Sequence, residues 1–341
     1  MTKRSVALPL SVIVCAFLLY LCVRVGSVDT SPLQIARIAA HKIFGTSAAG
    51  IEPNKISIIW NIRIPRVLTS FLVGAALSAG GVIMQSVLQN PLASAYTLGV
   101  SSGASVGVTG VMIASAYFPL LAAGRVLMPL AGFVCGFLTV GLAIALSRLV
   151  SGSSRNYAVI LTGMVLSLFL NAVIVLVSSF DIRYTARIQL WQMGSFGGST
   201  FYNAAIMGAV DILCLAVLMC MSCELDMLTF GERQSTAMGV NTSRSRIVLL
   251  LIASVLTGVS VCFSGIIGFV DLIAPHVVRR VFGPAHKKLL PLSMLYGGTF
   301  MALCDLVSRS LFAPREISVG AVTAMIGAPF FAYLFFGRKK L

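Results

Sequence analysis

Charge is scarce in this sequence. Lys, Arg, Asp and Glu make up 10% of the 341 residues, and hydrophobic residues make up 58%. Soluble domains carry about 25% charged residues. That shortage excludes a single water-soluble core, so lipid must solvate much of the chain. No G-x-x-x-x-G-K-(S/T) run is present to cradle nucleotide phosphates, and the chain itself is not expected to hydrolyse ATP. Histidine is limited to His41, His276 and His286. None lies near Cys220 and Cys223, so that lone C-x-x-C lacks the further ligands a zinc site needs. No metal site is expected. Cys15, Cys22, Cys135, Cys214, Cys262 and Cys304 complete the cysteines, mostly inside apolar runs where Cys behaves as a small hydrophobe. No nucleophile–base pattern points to a hydrolase, so no catalytic residue is assigned. His276, behind Pro275 in a short apolar segment, reads as structural.

Long apolar runs are what the chain has. A spanning helix needs about 20 apolar residues, and 341 residues with turns and one longer loop hold roughly ten such helices. The expected spans are 6–25, 64–88, 93–117, 126–148, 156–179, 201–221, 246–264, a short 269–282, 289–311 and 318–336. The first follows Lys3 and Arg4 with no clear small-x-small cleavage site behind it, and is expected to be a retained helix. A polar loop is expected from about 26 to 60, a loop with a short helix over 180–200, and a polar connection over 222–245. The formal net charge is +15. The basic residues are scattered among the apolar runs, which fits membrane orientation and anionic headgroups better than a nucleic-acid partner. An even number of spans puts both termini on one side, read as cytoplasmic. Arg37, Lys42, Lys55, Arg63 and Arg66 then gather outside, against the usual bias.

Polar interruptions carry the functional hints. Gln85, Gln89, Asn90 and Pro91 end one apolar run. Proline removes a donor and turns Asn90 toward extended geometry, and broken backbone at membrane depth is tolerated beside water or inside protein. A gate and a plain turn both fit these residues. Gly99, Gly103 and Gly107 form a stripe that lets a second helix approach closely. Asp305 and Arg309 share one helix face, within pairing reach. Asp211 stands in mid-span without a visible counter-charge; an intramembrane acid is a functional candidate. Residues 224–246 alternate charged and small residues with Met227, Leu228, Ala237, Met238 and Val240. They are expected to fold as two short amphipathic helices joined near Gly231, suited to docking a partner.

Four motifs in order suggest a family: Arg63-Ile64-Pro65-Arg66; Gln85 to Ala93 with Asn90-Pro91-Leu92; Gly231-Glu232 spaced from Gly239-Val240; and Ser318-Val319-Gly320 with Gly327-Ala328-Pro329. From about residue 55 onward the chain resembles the permease subunits of ABC importers for ferric siderophores, haem and vitamin B12. The resemblance implies one all-α, polytopic permease domain over 1–341 with about ten transmembrane helices, similar to the vitamin B12 importer permease. It implies a second permease copy or similar paralogue, with the spans at 156–179 and 318–336 lining the pathway between the two. It implies two cytosolic ATPase subunits that carry ATP-Mg, docked on Gly231, Glu232, Ala237, Gly239 and Val240. It implies an extracytoplasmic binding protein whose acidic residues meet Arg63, Arg66 and Arg309. Asn90, Pro91 and Leu92, with Ser151, Ser153 and Ser154, map to a cytoplasmic gate. A bacterial cell membrane, a ferric siderophore cargo, no cofactor on this chain and no nucleic acid complete the expectation. A proton-coupled secondary transporter with Asp211 and Asp305 as relay is the rival.

Overall fold

Residues 53–87 form one continuous rod. It begins with α3 (Pro53–Ser57), passes through a π-helical segment (Ile58–Arg63) and runs on as α4 (Ile64–Val87). Gly74, Ala75, Ala76, Ser78, Ala79, Gly80 and Gly81 leave α4 little side-chain bulk, and it is buried along most of its length. A helix this small and apolar on all sides belongs at the centre of a bundle. The computed structural model of the chain describes residues 3–26, 28, 30–47, 50–118, 126–149, 155–180 and 182–337.

The remaining helices surround that rod. In chain order they are α1 (Lys3–Arg24), α2 (Pro32–Phe44), α5 (Val100–Tyr117), α6 (Leu127–Ser147), α7 (Arg155–Phe180), α8 (Ile182–Gln192), α9 (Phe201–Cys220), α10 (Ser222–Leu228), α11 (Glu232–Ala237), α12 (Thr242–Ser264), α13 (Val270–Phe282), α14 (His286–Ser310) and α15 (Val319–Gly337). Among the described residues, seven helices are long and apolar enough to cross a membrane. The shorter apolar α5 and α15, with the 13-residue α13, supply the other three expected spans.

α4 packs most extensively against α14. A Cβ on Gly74 would lie 2.3 Å from the Gly297 carbonyl oxygen, so the two backbones touch. α13 crosses just as closely: a Cβ on Gly81 would lie 1.8 Å from the Asp271 carbonyl oxygen. The expected glycine stripe serves packing. Gly103 and Gly107 face α6, where added Cβ atoms would come within 2.2 Å of Thr139 Oγ1 and 2.4 Å of the Ala131 carbonyl oxygen.

Two expectations need correction. The 26–60 loop contains α2, opened by a Ser31–Gln34 capping box with Pro32 in its first turn. Its Leu33, Ile43 and Phe44 are exposed, as on a helix lying at an interface. The span placed at 93–117 begins at Val100, because Ser94 caps a 3₁₀ turn (Ala95–Leu98) that Gly99 ends in the left-handed region. The short helix expected within 180–200 is α8, Ile182–Gln192.

Candidate functional site

Polar residues gather at the two ends of α4. At the first end Arg66 is buried and faces Asp305 on α14. Arg66 Nε donates to Asp305 Oδ1 and Oδ2 at 3.0 and 3.1 Å, and Nη2 donates to Oδ1 at 2.9 Å. The same guanidinium reaches Glu316 in the α14–α15 connection, at 2.7 Å from Nη1 and 3.1 Å from Nη2. Arg309 approaches Asp305 at 3.6 Å and donates to the carbonyls of Val25 and Cys22. Arg63, also buried, donates to Arg24 O at 2.9 Å and Val28 O at 2.8 Å. Those carbonyls belong to the end of α1 and the turn after it, where helix acceptors lack partners of their own.

All three arginines make contacts within the chain. Arg63 and Arg66 were expected to meet a partner; in the structure they face inward. Desolvated charge is tolerable when paired and hydrogen-bonded, and here pairing joins α1, α4, α14 and the α14–α15 connection. The Asp305–Arg309 spacing was read correctly. Arg66 and Glu316 as further members were missed, because no spacing rule links positions so far apart in sequence.

The second end carries the expected coupling residues. α10 and α11 form the two short helices, joined at Gly231 with φ 104°. α11 closes in a Schellman arrangement: Gly239, at φ 89°, donates to Thr236 O, and Val240 donates to Ser235 O. Glu232, Ala237 and Gly239 are exposed, and Gly231 and Val240 half-buried. Glu232 Oε2 also accepts from Arg246 Nη2 at 3.1 Å.

The Gln-Asn-Pro corner meets this loop. Gln89 has φ 52°, and its Nε2 donates to Leu228 O at 2.9 Å. Asn90 Oδ1 accepts from Leu92 N at 3.0 Å, an Asx turn. Pro91 and Leu92 are exposed. Ser151, Ser153 and Ser154, the other expected gate residues, lie outside the described residues.

Sequence reasoning overlooked a chain of contacts beside the corner. Ser86 Oγ lies 2.7 Å from His286 Nε2, and His286 Nδ1 lies 2.6 Å from Asp226 Oδ1. This order resembles a hydrolytic triad. Ser86, however, sits in the last turn of α4, where the backbone N–H groups are taken up by the helix and leave no oxyanion hole. The contacts tie α4, α10 and α14 together. His286→Ala is expected to cost about 1–3 kcal/mol, read as a lower melting midpoint of the purified protein. An unchanged midpoint would remove this stitch from the account.

The chain matches the FecCD transport family over residues 13–337. It belongs to that family. A permease from Bacillus subtilis named YvrB, described as an uncharacterized ABC transporter permease protein, is 36% identical over 315 residues, covering 92% of this chain and 89% of the relative. The cobalamin import permease BtuC of Halobacterium salinarum is 36% identical, covering 85% and 76%. The molybdate import permease MolB of Haemophilus influenzae is 33% identical, covering 93% and 91%. A solved structure titled as an inward-facing conformation of a putative metal-chelate type ABC transporter superposes with a TM-score of 0.82 at 29% identity, covering 96% of this chain and 97% of that one. The FecCD permease is therefore an all-helical, multi-pass membrane protein and a transport subunit, not an enzyme. As an ABC importer permease it works with an ATPase and a binding protein.

Asp211, the intramembrane acid without an assigned role, is buried on α9 with no hydrogen-bond partner for either oxygen among the described residues.

Proposed function

We propose that this FecCD permease carries a ferric siderophore, or a closely related metal chelate, into the cytoplasm across a bacterial cell membrane. Haem and cobalamin are the alternative cargoes. Two copies, or this chain and a similar paralogue, enclose the pathway; two ATPase subunits dock at the α10–α11 end, and an extracytoplasmic binding protein docks at the Arg66 end. Both termini are cytoplasmic.

The observation that carries this reading is the Gln89–Leu228 bond. It joins the exposed α10–α11 surface directly to the corner that ends α4. Movement of α10 and α11 on ATP binding is then passed to Asn90, Pro91 and Leu92, the gate, without an intervening loop. Gly231, Glu232, Ala237, Gly239 and Val240 form the coupling surface. The role of Arg63, Arg66 and Arg309 is indirect: they hold the shape of the mouth on which the binding protein sits.

The test is uptake into proteoliposomes holding this chain, its ATPase and its binding protein. Labelled ferric siderophore is expected to accumulate only with ATP. Gly239→Val puts a branched residue where φ is positive; at ATPase concentrations below its Kd it is expected to cut uptake about tenfold while the ATPase still hydrolyses ATP, because a loss of about 1.4 kcal/mol in docking raises the Kd tenfold. Accumulation of haem or cobalamin alone would move the cargo. Uptake that survives ATP depletion under a proton gradient would favour the secondary-transport reading, with Asp211 and Asp305 as its relay.

A further inference from the structure

A crevice of about 280 Å³ opens between the end of α6 and the starts of α7 and α12. It lies at the α10–α11 end of the molecule. Arg148 stands exposed in it, and Arg246 is buried against it at 5% exposure. Arg246 uses Nη2 for Glu232. Its Nε and Nη1 are buried and have no hydrogen-bond partner among the described residues. A guanidinium carries five N–H donors and keeps its charge. Charged donors left dry and unpaired are costly, so these two nitrogens call for an acceptor.

The surroundings say which acceptor. Arg148 and Arg246 bring two positive charges and Glu232 one negative, leaving a net cation. Ser147 and Ser243 line the same space, and Ile144 and Val159 make its apolar side. Ile247 and Leu250 of α12 extend that apolar side. A cationic notch at the ends of spanning helices, with one wall made of aliphatic side chains, matches a phosphate with acyl chains attached. Paired arginines favour phosphate oxygens, and basic pockets between spanning helices at headgroup level are the usual seat of anionic headgroups.

We infer that the Arg148–Arg246 crevice binds the phosphate of an anionic phospholipid in the leaflet on the α10–α11 side. Arg246 would then bridge that phosphate and Glu232, so lipid in the crevice steadies α11.

The experiment is native mass spectrometry of the purified chain exposed to equal phosphatidylglycerol and phosphatidylcholine. Retained phosphatidylglycerol is expected to exceed phosphatidylcholine, and to fall about fivefold in Arg148→Gln and again in Arg246→Gln; fivefold corresponds to roughly 1 kcal/mol per basic residue near an anionic surface. Arg148 is exposed, so its variant decides the matter if Arg246→Gln misfolds. A second arm adds inorganic phosphate in lipid-free detergent and reads the melting midpoint. A rise in the wild type that Arg148→Gln abolishes, without any preference for phosphatidylglycerol, would keep phosphate recognition and assign its source to solution. Equal retention of both lipids with no phosphate effect, or phosphatidylglycerol retention unchanged in both variants, overturns the inference.

Discussion

Arg66→Ala will be among the most damaging single substitutions in this FecCD permease, with an expected loss of about 3–5 kcal/mol. Asp305 is fully buried, and among the described residues its side-chain hydrogen bonds all come from Arg66. Removing the cation leaves a carboxylate in a dry site. Arg309 remains at 3.6 Å, which holds the loss toward the lower end of the range. Arg66→Lys keeps the charge but cannot reproduce the fork to Asp305 and Glu316, so it should fall between wild type and alanine. The double variant Arg66→Leu, Asp305→Leu should recover part of the loss, because no unpaired charge is left behind. The measurement is the melting midpoint of detergent-purified protein across this set. Alanine within experimental error of wild type would mean that Asp305 does not depend on Arg66.

Gly297→Leu should do comparable harm by a different route. A Cβ there would stand 1.7 Å from Ser78 Oγ and 2.8 Å from the Gly74 carbonyl oxygen. Both neighbours are on α4, and Ser78 is fully buried. Overpacking usually costs about 1–3 kcal/mol; here the obstacle includes backbone, which cannot rotate away, so the helices must part and the cost should lie at or above that range. Gly297→Ala is the gentler probe. Ser78→Gly in its background removes the 1.7 Å overlap but leaves the carbonyl, so recovery should be partial. Full recovery would place the whole strain on the serine. Unchanged yield and melting midpoint of Gly297→Leu would contradict the close approach itself.

The sequence made the bundle readable because lipid imposes length and apolarity on each span. All ten expected segments have a helix. The glycine stripe at Gly103 and Gly107 was readable for a similar reason: small residues at intervals of four leave room for one thing, a neighbour. What lay between spans was harder. α2 was missed although Ser31-Pro32-Leu33-Gln34 spells a helix start, because the stretch around it is polar and its apolar residues sit on one narrow face. α10 and α11 were foreseen, since their alternation and Gly231 are local signals. The inward partners of the arginines were the chief omission. Arg63 and Arg66 at the entrance of an apolar run look like surface charge, and their partners on α1, α14 and the α14–α15 connection come together only in the fold. Ser86, Asp226 and His286 were likewise invisible, each an ordinary residue in its own segment.

The α4–α14 pair has a mechanical consequence. It is fastened at Arg66–Asp305, seated backbone to backbone at Gly74–Gly297, and fastened again at Ser86–His286. Arg66 and Ser86 are 20 residues apart, which is roughly 30 Å of helix, about the depth of the hydrocarbon layer. Two rods bolted top, middle and bottom do not scissor or slide; they behave as a chassis. The moving parts of the transport cycle must therefore be hung on it. Its first free joint is the left-handed Gln89, just past the last bolt.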